Sequence, residues 1–369
     1  MANTLIVLGD SIAGASTTYS SSTEALGMTW PNQVNVLSRQ QIRYLFNAGV
    51  FGNTCAQALA RNATDVLART PSVAALECGT NDVGNSVPLA TTESNITTII
   101  RTWLGAGIQP VLCTIPPRSD NDAFITPIVA LNAWIRSFAR ANAIILVDFY
   151  AILVDPSNAH YRAGYSSDGI HPSNTIATSM ANFFISKTTA LFPSWTPFIS
   201  QSASDTFNLI TNSMFLSGGA APTGWSFSGN NCAHAVVANA TPPGGNWFQM
   251  TCTNLGVDQI LFNCGSAAGT CTGGYTTGDR MAFSGTIDTS GVTSGSLIFT
   301  VQLDNQGAPF FVSVPMNNWT IDTTGTFYIE FVVGAGTTNL RPKLAITSGT
   351  GVIRIGQWAL VNLTANGLI

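Results

Sequence analysis

The chain has 369 residues, 45% of them apolar and only 9% charged, with 14 Lys and Arg against 18 Asp and Glu; an ordinary soluble domain carries about 25% charge. That length allows two domains, each with its own core. The net charge of −4 and the lack of a basic cluster argue against nucleic acid as a partner, and no apolar run approaches the roughly 18 residues that cross a bilayer.

Met1–Thr4 lead directly into Leu5–Leu8, a buried strand rather than the basic-then-apolar pattern of a secretory signal. Further strands are predicted at Val73–Glu77, Gln109–Thr114 and Ala143–Val147. Amphipathic helices are predicted at 54–69, 91–105, 123–142 and 174–191. Strands alternating with helices of this length imply βαβ units and a parallel sheet covered on both faces. In such sheets the working residues lie on loops at the carboxyl ends of strands. After Pro193-Ser194-Trp195-Thr196-Pro197 the period changes to two, as in 297–303 and 327–333, with turns every 8–12 residues. This predicts an antiparallel β-sandwich. The expected organisation is therefore a first domain over 1–197, a linker at 198–204 and a β domain over 205–369.

Three segments of the first half carry the groups that acyl transfer needs. Gly9-Asp10-Ser11-Ile12 follows the first strand and places a hydroxyl at a strand end, although an isolated Asp-Ser pair also reads as a turn or a helix cap. Asp168-Gly169-Ile170-His171-Pro172 offers an imidazole base and a carboxylate to hold its tautomer. His171 is one of only three histidines, with His160 and His234. Gly79-Thr80-Asn81-Asp82 supplies a side-chain amide from Asn81 and a bracing carboxylate from Asp82. Gly49-Val50-Phe51-Gly52-Asn53-Thr54 adds a glycine-bounded loop in which the Gly52 N–H can face an oxyanion.

Taken in chain order, Gly9–Ile12, Gly49–Thr54, Gly79–Asp82 and Asp168–His171, these four segments resemble the blocks of the SGNH/GDSL hydrolase family, over residues 5 to about 190. The resemblance implies a three-layer α/β/α domain and an esterase needing neither metal nor organic cofactor. It implies Ser11 as nucleophile, His171 as base and Asp168 as its orienting carboxylate. Ser11, Gly52 and Asn81 would form the oxyanion hole, with Asp10 and Asp82 in support. Ile12 stands where the family has Leu, and the stretch after His171 lacks a Gly common there.

Phe207–Phe215 with Gly224-Trp225, and Ile353–Val361, resemble the first and last strands of carbohydrate-binding jelly-roll modules. Trp225, Trp247, Trp319 and Trp358 are either sugar-stacking or core aromatics, with core favoured. Cys232, Cys252, Cys264 and Cys271 allow three disulfide pairings, of which Cys264–Cys271 is the first choice. The expected substrate is an acylated carbohydrate or small ester, with glycan binding by the β domain and oligomerisation as further partners. The expected setting is extracellular or virion-associated. The competing reading is an adhesive phage-tail or virion protein in which the esterase is accessory.

Overall fold

The computed structural model describes residues 3–14, 29–38, 41–194, 198–202, 204–216, 218, 222–228, 232–239, 245–253, 256–261, 271, 273–292, 295–305, 310–316, 322–348 and 350–368. The chain divides into two compact units.

The first unit is built on five parallel strands: β1 (Thr4–Gly9), β2 (Arg43–Gly49), β3 (Val73–Glu77), β4 (Gln109–Cys113) and β5 (Ile145–Val147), in the order β2-β1-β3-β4-β5. Every residue of β1 and β3 is buried, as expected of strands covered on both faces. Ile6, Leu8, Ala74, Leu76 and Leu112 share a core with helices α2 (Cys55–Asp65), α4 (Leu89–Gly105) and α5 (Ile125–Ala141). Leu5, Val7 and Ala75 alternate to the opposite face. Helix α1 (Trp30–Leu37) contributes Trp30, whose ring lies 5.0 Å from that of Phe149 on α6 (Phe149–Leu153) and 4.9 Å from that of Phe184 on α7 (Asn174–Thr188). The three layers of helix, sheet and helix are the α/β/α arrangement expected from the sequence.

The strands expected from the sequence are present, with β1 longer by one residue at each end, β4 ending one residue early and β5 starting two residues late. Strand β2 and the helices α1, α3 (Thr80–Gly84) and α6 were not anticipated. β2 carries a buried arginine and asparagine, Arg43 and Asn47, which break its apolar run. α3 and α6 have five residues each, too few for a helical period to appear.

The second unit is all-β. Strands β6 (Ser226–Ser228), β9 (Gly256–Leu261), β14 (Thr337–Ser348), β11 (Gly295–Asn305) and β12 (Phe310–Met316) form one sheet. β7 (Cys232–Ala238), β8 (Asn246–Cys252), β15 (Gly351–Asn362), β10 (Arg280–Ser290) and β13 (Thr323–Val332) form the other. Both are antiparallel. Leu340 and Leu344 from the first sheet join Phe283, Phe327, Ile355 and Trp358 from the second in one core. Trp358 packs 5.0 Å from Phe283 and 4.8 Å from Phe327, and 6.2 Å from Trp225. These two tryptophans are therefore core residues; Trp247 is half-buried, and Trp319 lies outside the described residues.

Residues 207–215 are not a strand. One bridge joins Asn208 to Val361, and the Asn208 side chain replaces a ladder, accepting from Leu360 N–H at 2.9 Å and donating to the Trp358 carbonyl at 2.7 Å. Cys232 and Cys252 form a disulfide across β7 and β8. Cys271 is also disulfide-bonded; Cys264, its expected partner, lies outside the described residues.

Candidate active site

Gly9, the last residue of β1, is flanked in the sheet by Gly49 of β2 and Glu77 of β3. The segments that follow these strands, residues 10–14, 50–54 and 78–82, thus leave the sheet side by side at its carboxyl edge. Gly9 is also held by the Val50 N–H at its carbonyl, 3.1 Å away. Asn47 ties the first two segments together by donating to the Ala13 carbonyl at 2.8 Å and accepting from Gly49 N–H at 2.9 Å.

Ser11 stands at this edge. Its hydroxyl lies 2.9 Å from His171 Nε2, and His171 Nδ1 lies 2.7 Å from Asp168 Oδ2. The serine and the imidazole, 160 residues apart in sequence, thus meet in space. The other Asp168 oxygen accepts from the N–H groups of Ile170 and His171, both at 2.8 Å, and from the Ser166 hydroxyl at 3.1 Å. Partial burial would raise the Asp168 carboxyl, but the hydrogen bond to His171 and those two backbone donors outweigh it and hold the group far below the usual carboxylate range. It is therefore an anion able to fix Nδ1 as the donor and leave Nε2 to accept from Ser11.

The turn that makes this possible needs Gly169. Its φ is +78°, and a Cβ there would stand 2.7 Å from the Asp120 nitrogen. Its carbonyl receives the Ser119 N–H at 2.8 Å, and Tyr161 donates its hydroxyl to the Ile170 carbonyl at 2.9 Å. Two outside anchors therefore position the loop. The site is open: the side chains of His171 and Asp168 are 44% and 50% exposed.

The glycine and asparagine segments are joined to each other. Asn81 donates one amide hydrogen to the Asn53 carbonyl at 3.0 Å. Asp82 is buried and accepts from Cys55 N–H at 2.8 Å and from the Thr92 hydroxyl at 3.1 Å. Cys55 opens α2, so this carboxylate meets the positive end of that helix. Thr54 caps the same end and Gln57 completes a capping box. Gly52 adopts φ +74° with nothing within 4 Å of a Cβ position, and its N–H has no partner among the described residues. Of the remaining histidines, His160 pairs with Asp122 at 2.9 Å and His234 stacks on Phe248 in the β unit. Neither joins the Ser11 chain of contacts.

Asp10 is fully buried beneath the serine, with Oδ1 accepting from Ile12 N–H at 2.9 Å. Burial pushes its carboxyl up to about 7; Asp82 adds to the rise, while the N–H groups of Ile12, Gly79 and Thr80 oppose it. Glu77 beside it is also fully buried, and neither of its carboxyl oxygens has a hydrogen-bond partner among the described residues. Burial, with Asp10 nearby, pushes the Glu77 carboxyl well above the ordinary range.

Two residues important to the edge were not visible in the sequence. Glu77 read only as the end of a strand. Arg61 on α2 donates to the Gly9 carbonyl at 2.7 Å, to the Ala48 carbonyl, to Asn53 Oδ1 at 2.9 Å and to Asp65 at 2.7 Å. It binds the ends of β1 and β2 to the glycine segment, a role no local motif announces.

Among the described residues, no group of three or more His, Cys, Asp or Glu side chains is arranged to hold a metal ion. No helix among them is long and apolar enough to cross a membrane.

A putative lipolytic protein of the G-D-S-L family from Desulfitobacterium hafniense is 24% identical, with a TM-score of 0.42, covering 51% of this chain and 99% of its own. An acetylxylan esterase from Geobacillus stearothermophilus is 22% identical, with a TM-score of 0.44, covering 53% of this chain and 96% of its own. A lipase/acylhydrolase from Enterococcus faecalis is 21% identical, with a TM-score of 0.44, covering 53% and 100%. No curated protein matches the chain. The family of GDSL-like lipases and acylhydrolases matches over residues 7–176, the stretch that holds Ser11, Gly52, Asn81, Asp168 and His171. Residues 7–176, just under half of this chain, are thus similar to the GDSL-like lipase/acylhydrolase family.

Proposed function

We propose that the chain is a serine ester hydrolase that removes acetyl or other short acyl groups from a carbohydrate. The observation that carries the reading is the continuous hydrogen-bonded chain Ser11–His171–Asp168, at 2.9 Å and 2.7 Å. His171 Nε2 takes the Ser11 proton as Oγ forms a bond to the acyl carbon. Charge develops on the carbonyl oxygen and is met by the N–H groups of Ser11 and Gly52 and by the second amide hydrogen of Asn81. One such donor is worth about 100- to 1,000-fold in rate. Collapse breaks the ester C–O bond, and the His171 imidazolium returns its proton to the departing alcohol. Water then gives a proton to Nε2 and attacks the acyl carbon; the acyl–Oγ bond breaks, the imidazolium returns that proton to the Ser11 oxygen, and the acid leaves with both side chains restored.

Two features support a short acyl group on a polar substrate. The side chains of His171 and Asp168 are about half exposed to solvent. The exposed apolar side chains of the neighbouring loop are Val50 and Phe51, the latter 62% exposed, a lip rather than a tunnel. The uncharged polar composition suits a sugar, whose recognition rests on hydroxyl and amide groups more than on charge.

The test is hydrolysis of an aryl ester series from acetate to octanoate, together with acetate release from acetylated oligosaccharides, by the wild-type chain and Ser11→Ala. The expected result is fastest turnover of acetyl esters and a loss of at least about 1,000-fold in the variant. A preference for octanoate would overturn the substrate assignment. Undiminished hydrolysis by Ser11→Ala would overturn the catalytic one.

A further inference from the structure

Two cysteines lie directly behind the segments just described. Cys55 is the first residue of α2, two positions after Asn53, and Cys78 follows the last residue of β3 and precedes Gly79. Both are buried. Their sulfur atoms are 2.7 Å apart. Non-bonded carbon atoms settle at about 3.5–4.0 Å and sulfur is larger, whereas a disulfide bond is about 2.0 Å long. The two thiols therefore sit well inside non-bonded contact, and a shift of well under 1 Å brings them to bonding distance. Cys113, the third buried thiol of this unit, makes no such contact among the described residues.

We propose that Cys55 and Cys78 are joined by a disulfide, a covalent brace between the start of α2 and the end of β3. The bridge runs beside the hydrogen bond from Cys55 N–H to Asp82 and that from Asn81 to the Asn53 carbonyl. It fixes the spacing of the two segments that carry Gly52 and Asn81. The inference does not depend on the hydrolase reading, because it rests on the sulfur positions alone.

The chemistry balances as thiol–disulfide exchange with a low-molecular-weight disulfide. The Cys55 thiolate attacks it, forming a mixed disulfide and expelling one thiolate. The Cys78 thiolate then attacks the Cys55 sulfur, forming the bridge and expelling the second. The protein dithiol loses two electrons, the small disulfide becomes two thiols, and the two cysteine protons pass to them. The β unit already holds the Cys232–Cys252 disulfide, so an environment that closes one bridge can close the other. Timing follows from burial. In the folded core, burial, the Cys78 contact and the nearby carboxylates push the Cys55 thiol well above its ordinary value. It keeps its proton there and does not exchange. The bridge closes during folding and is then shielded from reductant.

The test is a thiol map of the whole chain, produced in an oxidising compartment and denatured in N-ethylmaleimide without reductant before tryptic digestion. Cys55 and Cys78 fall in the tryptic peptides 44–61 and 70–101, Cys113 in 102–118, and Cys232 and Cys252 in 188–280. The expected result is a linked pair of 44–61 and 70–101 carrying no label, with Cys113 fully labelled. Label appears on both cysteines only after reduction in denaturant, and native reductant leaves the link intact. Unlinked peptides with label on both Cys55 and Cys78, alongside an unlabelled Cys232–Cys252 pair, would overturn the proposal. Neither outcome depends on esterase activity.

Discussion

Asp168→Asn separates orientation from mere presence at the site. The wild-type carboxylate uses Oδ1 for the N–H groups of Ile170 and His171 at 2.8 Å and Oδ2 for His171 Nδ1 at 2.7 Å. An amide keeps its oxygen on the two backbone donors, since turning it would set NH2 against both. Its NH2 then faces Nδ1, which must become an acceptor. The ring proton moves to Nε2, where it donates to Ser11 instead of accepting from it. In a well-enclosed Ser-His-Asp site this carboxylate-to-amide change costs about 10,000-fold in kcat. Here the two side chains are 44% and 50% exposed, so water competes for both ring nitrogens and relaxes the penalty. The expected loss is about 100- to 1,000-fold in kcat, or about 3–4 kcal/mol of barrier. Because the loop keeps its backbone acceptor, the Tm should move by no more than about 2 °C. Steady-state kinetics on an aryl acetate with parallel calorimetry reads both quantities. A variant within about fivefold of wild type, with its fold intact, would refute the orienting role.

Other perturbations probe the scaffold. Arg61→Ala removes charge-assisted bonds to Gly9, Ala48 and Asn53 and should cost about 2–4 kcal/mol in urea unfolding; Arg61→Lys should not restore it, because one ammonium cannot span those directions. An unchanged midpoint in Arg61→Ala would show the contacts to be idle. Gly169→Ala forces a Cβ against the Asp120 nitrogen at φ +78° and should lower kcat by at least tenfold through the displaced His171, a loss absent if the turn is tolerant. Asp10 keeps its proton up to about 7 when folded, against an ordinary 3.8. It therefore stabilises the fold on the acid side and loses that contribution as pH rises from about 4 to about 7. The Tm of Asp10→Asn relative to wild type should rise across that window; a constant or falling difference would contradict the buried-acid picture.

Three of the candidate segments were legible because each sits where β1, β2 or β3 ends and the sheet must turn, so Gly, Asp, Ser and Asn serve the turn as well as the candidate chemistry. The fourth, Asp168–Pro172, was legible as a Pro-terminated turn just before α7. Val73–Glu77 was legible to the residue because a strand buried on both faces leaves an unbroken apolar run. Strand β2 was hidden by Asn47, whose amide serves Ala13 and Gly49 rather than a surface. Asn208 misled in the opposite direction: the segment around it has a strand-like sequence, yet its side chain takes the bonds a strand backbone would make. Arg61, Glu77 and the Cys55–Cys78 contact all depend on approaches between segments distant in the chain, which periodicity and turn chemistry do not report.

The central claim is that Ser11 is an activated nucleophile, and covalent trapping tests it most directly. The native chain is treated with an alkyl fluorophosphonate, digested with trypsin and sequenced by fragmentation of the 1–39 peptide. The account requires one adduct per chain, on the Ser11 oxygen, with labelling slowed at least about 100-fold in His171→Ala. No adduct, or one on any other side chain, would contradict it.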